Sequence, residues 1–304
     1  MAAVVSCVPQ GSVLSPLLFL LFINDLPEGI HSSTRLFTDD CILYRQIKSA
    51  HDQSLLQEDL HTLAQWEATW GMDFHPQKCS VLRVTRSRSP FLTDYTLKGT
   101  KLCTEQSSKY LGVDLQTDLS WKTHIDRVTK KANNMLGFLR RNLRNTKEDT
   151  KTKAYISMVQ SNIEYCSTVW NPHHKYQIDK VEMVQRRAAR FTTNRYHNTS
   201  SVSDMLTELK WDTLENRRTK QQLTMLYRIT NDLVAISPKP YLKPAKLMPR
   251  SSHRLQYLQY STSTNTFKFS FFPRTIPNWN TLPASVAEAP SLASFKSGLQ
   301  ALTF

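Results

Sequence analysis

The chain has 304 residues, 40% of them hydrophobic, which is enough to bury a core and excludes a disordered tail. Its net charge of +14 is uneven: residues 1–120 carry 10 Lys+Arg against 13 Asp+Glu, residues 121–230 carry 21 against 10, and residues 231–304 carry 8 against 2, so a slightly acidic first part precedes a part suited to gripping a polyanion. No GxGxxG or GxxxxGK[ST] run offers a phosphate loop, and five cysteines without a CxxC pair argue against a zinc finger or disulfide framework and for a reducing compartment, nucleus or cytoplasm, rather than secretion.

In chain order, Gly11 to Asp25 reads as a turn and then a helix. Pro16 falls in its first turn and Pro27 ends the segment. The apolar run Val13–Ile23 is too short to span a bilayer and no Lys or Arg precedes it, so a buried helix is expected, with no signal peptide and no membrane partner. Residues 34–45 hold two short apolar runs around Thr38-Asp39-Asp40, the pattern of a hairpin with a polar tip. Residues 52–70 place Leu56, Leu60, Leu63 and Trp70 at helical spacing. Strands are expected over 79–85, 94–98 and 108–114. A long helix follows over 121–144, its apolar stripe running from Ile125 to Leu143 among Arg127, Lys130, Lys131, Arg140, Arg141 and Arg144. Further helices are expected near 148–162, 175–191, 213–232 and 291–301. Residues 237–275, rich in Pro, Ser and Thr, read as an extended linker or loop.

The strongest local chemistry is Phe37-Thr38-Asp39-Asp40. Adjacent carboxylates at a hairpin tip repel, and a divalent cation offsets that repulsion. Mg²⁺ takes carboxylate and phosphate oxygens, and two-metal phosphoryl transfer needs such ligands. Asp-Asp also occurs in turns simply because Asp favours them. On charge alone, the Arg186, Arg187 and Arg190 cluster reads equally as a grip on phosphates or as a solvated helix face.

Around that hairpin stand Pro9-Gln10-Gly11-Ser12, then Val13-Leu14-Ser15-Pro16-Leu17-Leu18-Phe19 and Ile23-Asn24-Asp25-Leu26-Pro27. Together these resemble the polymerase palm of reverse transcriptases of non-LTR (LINE-type) retrotransposons. The resemblance continues through Gly71–Cys79, Lys109-Tyr110-Leu111-Gly112-Val113, Leu119–Ile125, Val184–Phe191 and Leu209–Arg218, and so covers nearly the whole chain. It implies an α+β fold: a partial palm of mixed sheet and helices over 1–118, a mostly helical basic thumb-like domain over 119–236, and an extended Pro/Ser/Thr-rich region over 237–304. It implies that Asp39 and Asp40 are catalytic and hold metal, and that Gln10, Gly11 and Ser12 line the nucleotide pocket. Lys78 would face nucleotide phosphates. Tyr110, Leu111 and Gly112 would form the primer grip, and Arg186, Arg187 and Arg190 would hold nucleic acid. The implied partners are an RNA template, RNA–DNA duplex and deoxynucleotides, with Mg²⁺ as cofactor in the intact parent.

The family pattern places a first catalytic aspartate on a strand ahead of Pro9, and residues 1–8 hold no carboxylate; the first is Asp25. The expectation is therefore a fragment of an RNA-directed DNA polymerase, amino-terminally truncated and inactive as this chain. The alternative is a non-catalytic remnant that binds nucleic acid through its basic helices.

Overall fold

Gly11 turns the chain at φ +87°, a conformation that suits glycine. Ser12 Oγ then accepts the Ser15 N–H at 3.1 Å, and helix α1 (Leu14–Ile23) begins. In the computed structural model the described residues are 11–197, 199–245 and 253–304. Gln10 of the expected nucleotide pocket lies outside them. Contacts divide the chain into two units, one built on residues up to Ser108 with Gln116–Asp118, the other on Lys109–Leu115 with Leu119–Phe304.

In the first unit, α1 departs from the expected buried helix. Ile23 is buried, whereas Leu14, Leu17, Leu20 and Leu21 are all more than half exposed. The sequence is apolar around the whole helix, and the described residues cover only its carboxy-terminal end. Strand β1 (Ser33–Phe37) pairs antiparallel with β2 (Asp40–Tyr44), Ser33 facing Tyr44 and Phe37 facing Asp40. Leu36 and Leu43 pack against a cluster built on Ile23, Leu26 and Leu63, which seats the hairpin against α2 (Ala50–Trp70). Helix α2 starts at a capping box: Ser49 Oγ accepts the Asp52 N–H, and Asp52 accepts the Ser49 N–H. It ends at Gly71, in the left-handed conformation at φ +68°.

Carboxylates fasten this arrangement. Asp59, fully buried on α2, accepts the His31 and Ser32 backbone N–H groups at 2.7 and 2.9 Å, just before β1. Asp52 pairs with Arg45, just after β2, at 3.5 Å. Asp25 accepts the Trp66 indole N–H at 2.9 Å, which ties the end of α1 to α2.

Beyond a single 3₁₀ turn (Pro76–Lys78), strands β3 (Ser80–Leu82), β4 (Thr96–Leu97), β5 (Thr100–Lys101) and β6 (Cys103–Glu105) are short. β3 pairs parallel with β6, and β4 antiparallel with β5. β7 (Ser107–Tyr110) pairs with β8 (Val113–Gln116). The helix-and-strand content fits the expected α+β class, but among the described residues separate two-stranded sheets stand where one mixed sheet was expected. Strands of 2 to 5 residues supply too few ladder positions to join into one.

The second unit is helical. Long helices α3 (Lys122–Asn142) and α7 (Lys175–Thr193) pack around Ile125, Ala132, Leu136, Val181, Val184 and Ala188. Between them come α4 (Glu148–Tyr155), a π turn (Ile156–Gln160), α5 (Ser161–Glu164) and α6 (Ser167–Trp170); after them come α8 (Val202–Glu208) and α9 (Leu214–Thr230). Glu182 of α7 accepts the Leu214 and Glu215 N–H groups at 3.3 and 2.7 Å, an acid where the α9 dipole favours one.

The extended linker expected over 237–275 is found only in part. Helices α10 (Asn265–Lys268) and α11 (Phe271–Asn280) occupy its end, followed by α12 (Ala284–Ala287) and α13 (Leu292–Gln300). Part of the described irregular segment is pinned: Trp279 Nε1 donates to the Leu255 carbonyl at 2.6 Å, and the Asn280 amide exchanges hydrogen bonds of 3.0 and 2.7 Å with the Tyr257 backbone. Ile276, Trp279, Phe295 and Leu299 then bury against Leu223 and Leu226 of α9.

The turn between β7 and β8 is clamped within the second unit. Arg127 donates to Asp114 Oδ2 at 2.6 Å and to the Gly112 carbonyl at 2.7 Å. Buried His124 accepts the Asp114 N–H on Nδ1 at 3.2 Å. Burial, with Arg127 beside it, holds this imidazole below its ordinary range near 6.5.

Asp59→Ala leaves two amides without their acceptor, so chemical denaturation should show a loss of about 2–4 kcal/mol, with Asp59→Asn losing less. For His124, the unfolded chain takes up a proton at a higher pH than the folded chain does. Stability from this site is therefore complete above about pH 6.5 and is lost as pH falls below it; His124→Gln should flatten that slope in pH-dependent melts.

Candidate functional site

The hairpin turn contains only Thr38 and Asp39 between the paired residues Phe37 and Asp40. Thr38 holds φ +52°, unfavourable for a β-branched residue by about 1–3 kcal/mol. Its hydroxyl lies 2.7 Å from the Phe37 carbonyl and 2.9 Å from Asp39 Oδ1, so the side chain braces the turn that it strains. Asp39 and Asp40 are both exposed, and neither forms an ion pair among the described residues. This places two adjacent carboxylates at the tip of a hairpin whose two roots are tied to α2 by Asp59 and Asp52.

Hard carboxylate oxygens with free faces fit a divalent cation that completes its shell with water and phosphate. Among the described residues no group of three or more His, Cys, Asp or Glu side chains comes together, so the pair stands without a third acid. Asp25, the first carboxylate of the sequence, is occupied by Trp66.

The other expected residues fall as follows. Gly11 is exposed and Ser12 half-buried at the start of α1. Ser12 Oγ is engaged with Ser15, its Oγ at 2.6 Å. Lys78 is exposed at the end of the 3₁₀ turn, two residues ahead of β3. No hydrogen bond or ion pair among the described residues joins Gly11, Ser12 or Lys78 to Asp39 or Asp40.

Tyr110 ends β7, and Leu111 and Gly112 form the tight turn to β8, with Leu111 at φ +45° and Gly112 at φ +81°. A Cβ on Gly112 would meet Tyr165 Cε1 at 3.2 Å, and the Tyr165 hydroxyl donates to the Leu111 carbonyl at 3.0 Å. Arg127 and Tyr165 therefore fix this turn by its carbonyls. On α7, Arg186 is exposed, Arg187 is exposed and donates to Asn133 Oδ1 at 2.8 Å, and Arg190 is half-buried.

Sequence reasoning missed Asp59, Arg127 and Tyr165. For Asp59 a signal existed: it stands three residues after Leu56 and four before Leu63, on the buried stripe of α2, where an acid needs a partner. Arg127 and Tyr165 reach the turn through the Gly112 and Leu111 carbonyls, which leave no trace in a sequence.

A family model described as reverse transcriptase (RNA-dependent DNA polymerase) matches residues 2–115, and so contains the hairpin, its clamps and the turn at Tyr110. The chain is 30% identical over 203 residues to the probable RNA-directed DNA polymerase from transposon BS of Drosophila melanogaster, covering 62% of this chain and 22% of that protein. It is 28% identical over 200 residues to the RNA-directed DNA polymerase from mobile element jockey of Drosophila funebris, covering 60% and 21%. The probable RNA-directed DNA polymerase from transposon X-element of Drosophila melanogaster is 24% identical over 196 residues, covering 61% and 21%. The chain thus spans about a fifth of the length of the curated relatives it matches. No solved structure gives a significant match to it. Among the described residues no helix is long and apolar enough to cross a membrane. Residues 2–115 thus match the reverse transcriptase family, and about 60% of the chain is homologous to RNA-directed DNA polymerases of non-LTR retrotransposons.

Proposed function

We propose that this chain is part of an RNA-directed DNA polymerase in which Asp39 and Asp40 hold a divalent cation, Mg²⁺, at the point of nucleotidyl transfer, and in which the basic helices grip the RNA–DNA duplex. The observation that carries the reading is the two-residue turn. It presents both carboxylates without an ion-pair partner among the described residues, on a hairpin tied down at both ends. Bound there, the cation would supply charge neutralisation at the phosphate oxygens.

The chain's own residues do the rest. Asp39 and Asp40 orient their oxygens from a turn that Thr38 stiffens. Gly11 and Ser12, with Gln10, set the floor for the incoming deoxynucleotide, and Lys78 offers a cation to its phosphates. The Tyr110–Gly112 turn, locked by Arg127 and Tyr165, has the rigidity needed to hold a primer end. Arg186, Arg187 and Arg190 meet phosphates of an A-form duplex through charge and shape rather than base edges. Asp39 and Asp40 would hold one ion; a second would need a further acid, which the family pattern puts on a strand ahead of Pro9.

Two dissociable outcomes test this reading. Asp39→Ala should weaken Mn²⁺-dependent deoxynucleoside triphosphate binding by about tenfold or more, yet leave RNA–DNA duplex affinity within about twofold, since duplex binding rests on phosphate charge. Arg186→Ala with Arg187→Ala should do the reverse, in filter binding at two salt concentrations. Loss of both activities in either variant contradicts the division of labour.

A further inference from the structure

The second unit contains a cleft of about 1240 Å³ that none of the roles above uses. Its walls come from the end of α8, one side of α9, the end of α13 and the segment around Glu164 to Thr168. Arg186, Arg187 and Arg190 do not line it.

The cleft holds five cations and two carboxylates, and both carboxylates are taken. Glu164 receives Arg217, whose Nη2 donates to Oε2 at 2.9 Å, and Asp212 receives Lys220 at 2.6 Å. Lys210, Arg228 and Lys296 line the same hollow with no carboxylate partner among the described residues. Arg228 Nε is buried without an acceptor among the described residues. Gln185, 1% exposed, also lines the cleft; its Nε2 donates to the Asp212 carbonyl at 2.9 Å, which fixes the amide, and its Oε1 has no donor among the described residues. Trp211, half-buried, also lines the cleft and stacks on fully buried Tyr155, ring centroids 4.5 Å apart.

We infer that this cleft binds a single strand of nucleic acid, its phosphates on Lys210, Arg228 and Lys296 and a base against Trp211. A tryptophan held from behind by a second ring offers a rigid face to any base, and flanking cations track the backbone. The hollow exceeds the roughly 300–1,000 Å³ of small-molecule sites, which favours a length of strand over a lone phosphate. A duplex is gripped across a broad face, whereas this site is walled by separate helices and is concave. The inference goes beyond the polymerase reading and needs neither metal nor nucleotide.

The test is fluorescence anisotropy of the intact chain with labelled oligouridylate and oligodeoxythymidylate of about 12 nucleotides, in EDTA and without deoxynucleotides. Lys210 and Lys296 are exposed, so Lys210→Glu with Lys296→Glu leaves the core alone. This variant should bind single strands at least about tenfold more weakly, with a salt slope lower by about 1.4 for two lost phosphate contacts. Trp211→Leu should weaken binding without changing the salt slope, and Arg186→Glu with Arg187→Glu should leave single-strand binding intact. Comparing the two oligonucleotides tells whether RNA or DNA is preferred. Unchanged binding in the Lys210/Lys296 variant overturns the inference. So does an equal loss in the Arg186/Arg187 variant, which would mean charge anywhere suffices. Competition by inorganic phosphate or polyglutamate, charge for charge, would overturn it too. Because metal is absent throughout, failure here leaves the Asp39 reading standing, and failure there leaves this one.

Discussion

A buried carboxylate holding two backbone amides sets the geometry of the first unit. Asp59 on α2 receives the His31 and Ser32 N–H groups, and β1 begins at the next residue. A two-stranded hairpin is marginal by itself in water. Here one face of it is seated on Leu63 and Ile23, its leading end hangs from Asp59, and its trailing end is tied through Arg45 to Asp52. The strained Thr38 turn is sustained at the far end of that frame, as strain must be. The tip can therefore hold two like charges side by side, with no Lys or Arg pairing with either among the described residues.

The second unit handles charge in the opposite way. Its carboxylates are mostly consumed in fixing helices: Asp114 with Arg127, Glu164 with Arg217, Asp212 with Lys220, Glu182 at the start of α9. What remains toward solvent is an excess of lysine and arginine. That excess is divided between the outer side of α7 and the cleft beside α9. The same separation of charge seen along the sequence thus becomes one acidic tip on one unit and basic surfaces on the other.

How far the sequence could be read varied with the physics of each element. The hairpin was legible because alternation and an Asp-Asp tip are local signals, and long helices were legible because an apolar stripe repeats over five turns or more. The placement of α1 was not: an all-apolar helix predicts burial, and burial depends on elements elsewhere. The single mixed sheet was an inference from family pattern, and strands this short did not join. The segment after residue 237 was misread because Pro, Ser and Thr content describes backbone preference, whereas Trp279 and Asn280, distant in sequence, satisfy that backbone. Asp59 was visible in principle as a charge on an apolar stripe. The clamps on the Tyr110–Gly112 turn were not, because their acceptors are carbonyls.

A divalent cation held at the turn of Asp39 and Asp40 can be located by cleavage of the backbone beside it. Fe²⁺ replacing Mg²⁺, with ascorbate and peroxide, cleaves a polypeptide next to where the ion sits. Backbone cuts should be confined to residues flanking 38–40, suppressed by excess Mg²⁺ and absent in Asp39→Ala. Cuts elsewhere with none at the turn, or cuts unaffected by Asp39→Ala, would contradict it.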